Sequence, residues 1–286
     1  MPSLVGSEMC IRDRYKSKVV NTGSQNEKVL DFKIDYPKEF MPDGHVKWSE
    51  LQNEFEDYHD HYTELDNKNY YNDEIDSVRE IYQTEFKLSG KILDVGGNQG
   101  RLRHYLDLEN PENKYLSIDP YINAFENISK SDILLNSYPC LSQSCNFING
   151  SAEFLPIKSQ TFDWVHMRSV IDHFENPFFA LKEAYRVLKP GGRLLIGLAI
   201  EEKGMDASLP KRIINKISKE GLPSIASAVQ RRVKGLIKGH HDDHMFRFGD
   251  EDLISLVKKC GFEIEKIHWQ KPPYSFCIYI SGKKVK

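Results

Sequence analysis

Residues 91–102 have the sequence KILDVGGNQGRL, in which a short apolar run around Asp94 is followed directly by a glycine-rich turn. A strand that leads into such a turn lets a ligand approach the backbone, because glycine has no side chain. About 25 residues later, a second apolar run ends at Asp119 in LSIDPY. An acidic side chain at this point can accept hydrogen bonds from the two hydroxyls of a ribose. The two segments together indicate a nucleoside-binding pocket.

The spacing of the glycines distinguishes two classes of nucleoside cofactor. Chains that bind nicotinamide dinucleotides use GxGxxG, whose backbone amides face a pyrophosphate. The loop here is GGNQG at 96–100, and Asp94 lies two residues before it. A carboxylate at that position would repel a pyrophosphate but would attract a cationic group, such as the amino end of a methionine moiety. The loop therefore favours S-adenosylmethionine, with an NAD(P)-dependent oxidoreductase of Rossmann type as the alternative.

From about residue 90 the sequence alternates short apolar runs with helical periodicity, which is typical of a parallel sheet covered by helices. The predicted strands are Lys91 to Val95, Lys114 to Ile118, Cys145 to Ile148, Phe162 to His166, Arg193 to Leu198, Glu263 to Trp269 and Ser275 to Ser281. The predicted fold class is therefore α/β, with a Rossmann-like, mostly parallel seven-stranded sheet that has helices on both faces.

Two regions lie outside the alternating pattern. Before the first strand, acidic and aromatic-rich segments predict N-terminal helices, and a long helical insertion follows the fifth strand. Long connections at the carboxyl ends of strands commonly form lids and substrate pockets. The predicted divisions are a non-native leader (1–14), an N-terminal extension and helical cap (15–88), the cofactor-binding core (89–200), a helical insertion or lid (201–249), and a C-terminal helix with the last two strands (250–286).

The composition narrows the class of protein. The chain has 286 residues, a formal net charge of -3 and five scattered cysteines. No apolar run approaches the roughly 20 residues of a membrane span, and no disulfide framework is indicated. We therefore expect a cytoplasmic protein. Basic residues at 203–238 alternate with apolar ones at near-helical spacing, which favours packing within the chain over binding of nucleic acid.

Residues 150–197 contain GSAEFLP, FDWV and RVLKPGG in this order. Together with the glycine loop, these segments resemble the landmarks of class I methyltransferases, specifically the branch with a type 11 methyltransferase domain. That family commonly has D-x-G-x-G-x-G, whereas Asn98 replaces the middle glycine here, and Ser151 replaces an aspartate near the adenine. The resemblance implies transfer of a methyl group from S-adenosylmethionine to a small-molecule acceptor by in-line displacement.

The resemblance also implies roles for individual residues in binding the cofactor. By this resemblance, the methionine end of the cofactor is bound by Asp94, Gly96, Gly97 and Gly100. The ribose is bound by Asp119, and the edge of the adenine is contacted by Ser151, Ala152 and Glu153. The departures at Asn98 and Ser151 leave a second alternative open, a protein that binds S-adenosylmethionine without catalysis.

Candidate catalytic residues follow the fourth predicted strand, whose end faces the methyl group in this architecture. The catalytic candidates are Arg168, Asp172 and His173, and Ser169 is a candidate for binding the substrate. His173 is the first choice for a general base because histidine titrates near neutrality. Arg168 is a candidate clamp for an anionic substrate group, with a salt bridge to Asp172 or Glu153 as the structural alternative.

A second cluster, HHDDH at 240–244, lies at the end of the insertion. His241 or His244 is expected to reach the mouth of the pocket and contact the substrate. Three histidines and two aspartates within five residues are also compatible with a metal site, but no metal is expected, because adjacent ligands on one short loop rarely converge on a single ion and no remote fourth ligand is evident.

Overall fold

The computed structural model describes residues 16–21, 26–32, 45–53, 68–121, 132–200, 244–270 and 277–285. Its strands are β1 (Lys16–Asn21), β2 (Asn26–Asp31), β3 (Lys91–Val95), β4 (Lys114–Asp119), β5 (Phe147–Asn149), β6 (Phe162–Arg168), β7 (Leu188–Ala199), β8 (Phe262–Gln270) and β9 (Cys277–Lys284). Its α-helices are α1 (45–53), α2 (Lys68–Glu80), α3 (Asp132–Ser137), α4 (Pro177–Val187) and α5 (Asp250–Lys259). A π-helical turn, Ile81–Glu85, continues α2, and short 3-10 helices span Arg101–Tyr105 and Pro139–Ser142.

These strands form one sheet with the order β1-β2-β5-β4-β3-β6-β7-β9-β8. The five strands from β5 to β7 are parallel, and β9 lies antiparallel between β7 and β8. The chain passes from β3 to β4 and β5 on one side, and then crosses to β6 on the other side of β3. Ligands of such sheets bind outside the carboxyl ends of the strands at this switch point.

Helices cover both faces of the sheet and form a hydrophobic core on each face. Alternate residues of each central strand pack into one core or the other. Leu93, Leu116 and Val165 face one core with α4 and α5. Neighbouring residues such as Ile92 and Trp164 face the other core with α2 and α3. Strands that are buried on both faces need nearly continuous apolar sequence, which explains why runs such as KILDV predicted them.

The predicted fold class is confirmed, and each of the seven predicted strands has a counterpart whose bounds differ by a few residues. The hairpin β1–β2 was not predicted; it extends the sheet because β2 pairs in parallel with β5. Most of the predicted insertion, residues 201–243, lies outside the described residues. Within the described ranges, no helix has the length and apolar character to cross a membrane.

Candidate active site

The glycine loop between β3 and the 3-10 helix has a backbone that most side chains would disrupt. Gly96 has φ +68°, and a Cβ there would lie 2.5 Å from Cγ1 of Val170. At Gly97, a Cβ would lie 2.6 Å from the carboxyl carbon of Asp94. Neighbouring side chains therefore lie so close to both positions that a residue with a Cβ would collide with them. Gly100 also has a positive φ, +84°, at the end of the loop.

Asn98, the residue that departs from the family pattern, has φ +46°. This left-handed conformation explains the glycine usually found there, and asparagine is one of the few other residues that adopt it readily. The side-chain oxygen of Asn98 accepts a hydrogen bond from the Gln99 amide at 2.7 Å, which stabilises the turn. The substitution therefore preserves the loop conformation.

Asp119 connects the end of β4 to the glycine loop. Its Oδ2 accepts a hydrogen bond from the Asn98 amide at 2.9 Å, and its Oδ1 accepts one from the Tyr121 amide at 2.8 Å. The carboxylate is 7% exposed and lines a cavity at the switch point. Because a carboxylate can accept about four hydrogen bonds, Asp119 can position the loop and also bind hydroxyl groups of a ligand.

Asp94 lies in a buried network on the α2 side of the sheet. Its Oδ2 accepts a hydrogen bond from the Tyr115 hydroxyl at 2.6 Å, and its Oδ1 lies 2.7 Å from Nδ1 of His166. The other ring nitrogen of His166 is 2.8 Å from the hydroxyl of Tyr82, in the π-helical turn. Burial, and then the charge of Asp94, raise the pKa of Tyr115 well above its ordinary value, so this hydroxyl stays a donor.

This network gives Asp94 a role that the sequence did not indicate. Its carboxylate joins β3, β4 and β6 directly beneath the glycine loop, and Asp94 is not among the described residues that line the cavity. The predicted contact between Asp94 and a methionine amino group stays a prediction.

A cavity of about 220 Å³ opens at the carboxyl ends of β3, β4 and β6. The described residues that line it are Trp48, Gln52, Val95, Gly96, Asn98, Ile118, Asp119, Pro120, Gly150, Ser151, Ala152, Glu153, Arg168, Ser169, Val170, His173 and Phe174.

The structure brings most of the predicted site residues to this one cavity. Of the residues predicted to bind the cofactor, the cavity is lined by Gly96, Asp119, Ser151, Ala152 and Glu153. Of those predicted to act on or bind the acceptor, it is lined by Arg168, Ser169 and His173. Gly97 and Gly100 belong to the same loop but are not among the described residues that line the cavity. Burial is the main influence that raises the pKa of Glu153, and its carboxylate accepts a hydrogen bond from the Asn176 amide at 3.0 Å.

Arg168 makes an ion pair with a residue that the sequence did not suggest. Its guanidinium lies 3.2 Å from Glu74 of α2, rather than beside Asp172 or Glu153, so both partners expected for a salt bridge were wrong. Glu74 also binds Arg101 at 3.2 Å and the Tyr138 hydroxyl at 2.9 Å. Burial opposes ionisation of Glu74, but the two arginines and the tyrosine outweigh it and lower its pKa.

Helix α1 contributes cavity residues that the sequence did not single out, Trp48 and Gln52. The indole N–H of Trp48 donates to the backbone oxygen of His173 at 3.1 Å. Nδ1 of His45 lies 2.8 Å from the carboxylate of Glu175. These contacts join two segments about 125 residues apart in the sequence, and no local pattern indicates such pairing.

His244 lies beside His173 but is not among the described residues that line the cavity, and its contact with a substrate stays a prediction. The centroids of their rings are 4.6 Å apart, and Nε2 of His244 is 3.3 Å from Oδ2 of Asp172. The backbone amides of Met245 and Phe246 both donate to the backbone oxygen of Asp172, at 2.9 and 3.0 Å. His241 lies outside the described residues.

The sheet order and the cavity define the class I methyltransferase fold. Residues 93–196 match the family profile described as a methyltransferase domain, of the type 11 branch. This part of the chain is accordingly an S-adenosylmethionine-dependent methyltransferase domain of class I.

Curated relatives match the same region. Ubiquinone/menaquinone biosynthesis C-methyltransferase UbiE of Ruegeria is 29% identical over 133 residues, which are 44% of this chain and 49% of that protein. An uncharacterized methyltransferase of Schizosaccharomyces pombe is 33% identical over 110 residues, 37% of this chain and 38% of that protein. The chain therefore spans about half the length, or less, of these two relatives.

Solved structures share the fold at low sequence identity. The 1,6-didemethyltoxoflavin-N1-methyltransferase of Burkholderia thailandensis, solved with 1,6-didemethyltoxoflavin and S-adenosylhomocysteine, has a TM-score of 0.55 and 14% identity. The similarity covers 91% of this chain and 96% of that chain. A protein of Pyrococcus horikoshii has a TM-score of 0.53 and 17% identity, with coverage of 79% and 98%.

Proposed function

We propose that the whole chain is a small-molecule methyltransferase that transfers the methyl group of S-adenosylmethionine to an acceptor bound in the same cavity. The observation that supports this most directly is the link between Asp119 and the Asn98 amide, which places an acidic side chain and an open glycine loop around one end of the cavity. S-adenosylmethionine supplies a methyl group on a sulfonium, so the leaving group departs without charge.

The residues of the chain would divide the cavity between cofactor and acceptor. Asp119 binds the ribose, and Ser151 with Ala152 contacts the adenine edge. Arg168 and His173 also line the cavity and would face the acceptor. Positioning of the two reactants is the main contribution of the protein, since well-oriented reactions reach effective molarities of about 10⁵ M or more.

The acceptor end suits a small polar molecule with an aromatic or conjugated part. Trp48 and Phe174 supply aromatic surface, and the Arg168 guanidinium can bind an anionic or carbonyl oxygen of the acceptor. His173 promotes the loss of a proton from the acceptor, a contribution typically worth about 10² to 10⁴ in rate. The UbiE proteins are named for methylation at carbon in quinone biosynthesis, which makes quinone-like rings a first group of acceptors to test.

Calorimetric titration tests the cofactor assignment. We expect the protein to bind S-adenosylhomocysteine and not NAD, because the GGNQG loop lacks the GxGxxG spacing that accommodates a pyrophosphate. Asp119→Ala should weaken S-adenosylhomocysteine binding at least about tenfold, through loss of the ribose contacts and of the loop anchor. Asp73→Ala, an exposed change on α2, is the matched control and should leave the affinity unchanged. Binding of NAD in place of S-adenosylhomocysteine would refute the proposal.

A further inference from the structure

Three potential metal ligands from two distant segments converge at the edge of the cavity. A carboxylate oxygen of Asp172, one ring nitrogen of His173 and one of His244 all lie within 4.8 Å of one another. Their side chains are 12%, 27% and 41% exposed, so the group lies at the boundary between the interior and the solvent. The remote ligands that the HHDDH sequence did not reveal are thus Asp172 and His173, which lie about 70 residues earlier in the chain.

The distances are close to those of a coordination site. Ligand atoms in a tetrahedral site with bonds of about 2.1 Å lie about 3.4 Å apart. Asp172 Oδ2 is already 3.3 Å from His244 Nε2, and Asp172 Oδ1 is 4.0 Å from His173 Nε2. These two distances involve different oxygens of Asp172, and a set with one atom from each residue lies within 4.8 Å, so binding an ion requires side-chain rotations that bring the three atoms closer together.

Backbone contacts hold the three residues in place before any ion binds. The amides of Met245 and Phe246 donate to the Asp172 backbone oxygen, which fixes His244 beside the core. The His173 amide donates to the Val170 oxygen, and the His173 oxygen accepts from the Trp48 indole. Ligand positions that are fixed by the fold reduce the entropy cost of binding an ion.

We propose that Asp172, His173 and His244 bind a first-row divalent metal ion, which holds and activates a hydroxyl group of the methyl acceptor. Two imidazoles and one carboxylate are a donor set that zinc, iron and related ions prefer over magnesium or calcium. Three protein ligands leave coordination positions for water or for an acceptor oxygen. His173 also lines the cavity, so an acceptor in the cavity can reach the ion.

The proposed step needs no reactant besides S-adenosylmethionine and the acceptor. The ion lowers the pKa of the hydroxyl that it binds, and the released proton passes to solvent. The acceptor oxygen then forms a bond to the methyl carbon as the bond from that carbon to sulfur breaks, and the electron pair stays on sulfur. With the ion bound, the ion promotes the loss of the proton in place of His173, which then serves as its ligand. The role of the ion in catalysis rests on the proposed function, whereas the binding of the ion does not.

Zinc titration of the full chain against a chromophoric chelator tests the site without measuring methyl transfer. We expect one equivalent of Zn²⁺ to bind, with Mg²⁺ unable to compete. His244→Ala and Asp172→Asn should each weaken zinc binding about tenfold or more. Co²⁺ in place of zinc should give visible absorption that the same variants lose. Circular dichroism and thermal midpoints show whether each variant is folded.

Two controls separate this site from other histidines. His268 lies 3.3 Å from the Glu85 carboxylate, an imidazole–carboxylate pair like that of His244 and Asp172, so His268→Ala should keep zinc binding intact. The double variant His240→Ala/His241→Ala should also bind zinc. Loss of binding in that double variant, full binding in His244→Ala, or no stoichiometric binding by the wild type would overturn the proposal. Zinc binding without methyl transfer would instead count against the proposed function alone.

Discussion

Asn98 shows how one residue can depart from a family pattern and preserve its geometry. The glycine that it replaces is common because the backbone there has a positive φ, and the asparagine side chain compensates by accepting a hydrogen bond from Gln99. The sequence revealed the departure but not its outcome, since φ cannot be inferred from one residue type. Similarly, the sequence identified Asp94 and not its partners Tyr115 and His166, which reach it only in the folded sheet.

Substitutions at Asn98 should therefore follow backbone preference rather than side-chain size. Asn98→Gly should change the dissociation constant for S-adenosylhomocysteine by less than about twofold, because glycine adopts positive φ readily. Asn98→Val should raise that constant about tenfold, since a left-handed residue with a Cβ costs about 1–2 kcal/mol and a branched one suffers most. Calorimetry on both variants measures the difference, and equal affinities for the two would contradict it.

Helix α2 is the element that joins the N-terminal region to the walls of the site. Glu74 binds Arg101 after the glycine loop and Arg168 at the end of β6, so a single carboxylate spans both sides of the switch point. The low pKa of Glu74 means that it is ionised in the folded protein at neutral pH. Its ion pairs stabilise the fold above the ordinary carboxyl pKa of 4.5, and the stabilisation is lost as the pH falls through the lower folded value.

Glu74→Gln should lower the free energy of unfolding by about 2–3 kcal/mol at pH 7, because two partly buried arginines lose their counter-charge. The deficit should shrink as the pH falls below the ordinary carboxyl pKa of 4.5, and it should vanish below the lower pKa of the folded carboxyl, where the wild-type side chain is neutral as well. Urea denaturation at several pH values measures both effects. Glu80→Gln, an exposed change at the end of the same helix, should have little effect. A deficit that does not vary with pH would show that the charge of Glu74 is not its cause.

Elements differed in how well the sequence predicted them. The central strands were predicted because strands buried on both faces need apolar runs such as LLIG in β7. The hairpin β1–β2 was missed because its strands, KSKVVN and NEKVLD, are largely polar, and β2 pairs with β5 more than 100 residues away. Contacts of this range, like that of Trp48 with His173, leave no periodic signal in the sequence.

At the scale of the whole molecule, one cavity is built from two separate parts of the described chain. Helix α1 supplies Trp48 and Gln52, and the core supplies the glycine loop and the residues after β6. A ligand that contacts both parts binds the folded arrangement and not the unfolded chain, so binding should stabilise both parts together.

Hydrogen exchange should report this coupling. With S-adenosylhomocysteine bound, amide exchange should slow both in the loop at 96–100 and in α1 at 45–53, because both border the same cavity. Peptides from β8, at the edge of the sheet, serve as the internal control and should exchange at unchanged rates. Protection that is confined to the loop would mean that α1 does not respond to the cofactor.

The two amides that donate to the backbone oxygen of Asp172 have a consequence for how this protein can diversify. Because Met245 and Phe246 donate to the backbone of Asp172, contacts with the core set the position of His244. Related chains can therefore differ in the sequence before His244 and still place a histidine beside Asp172.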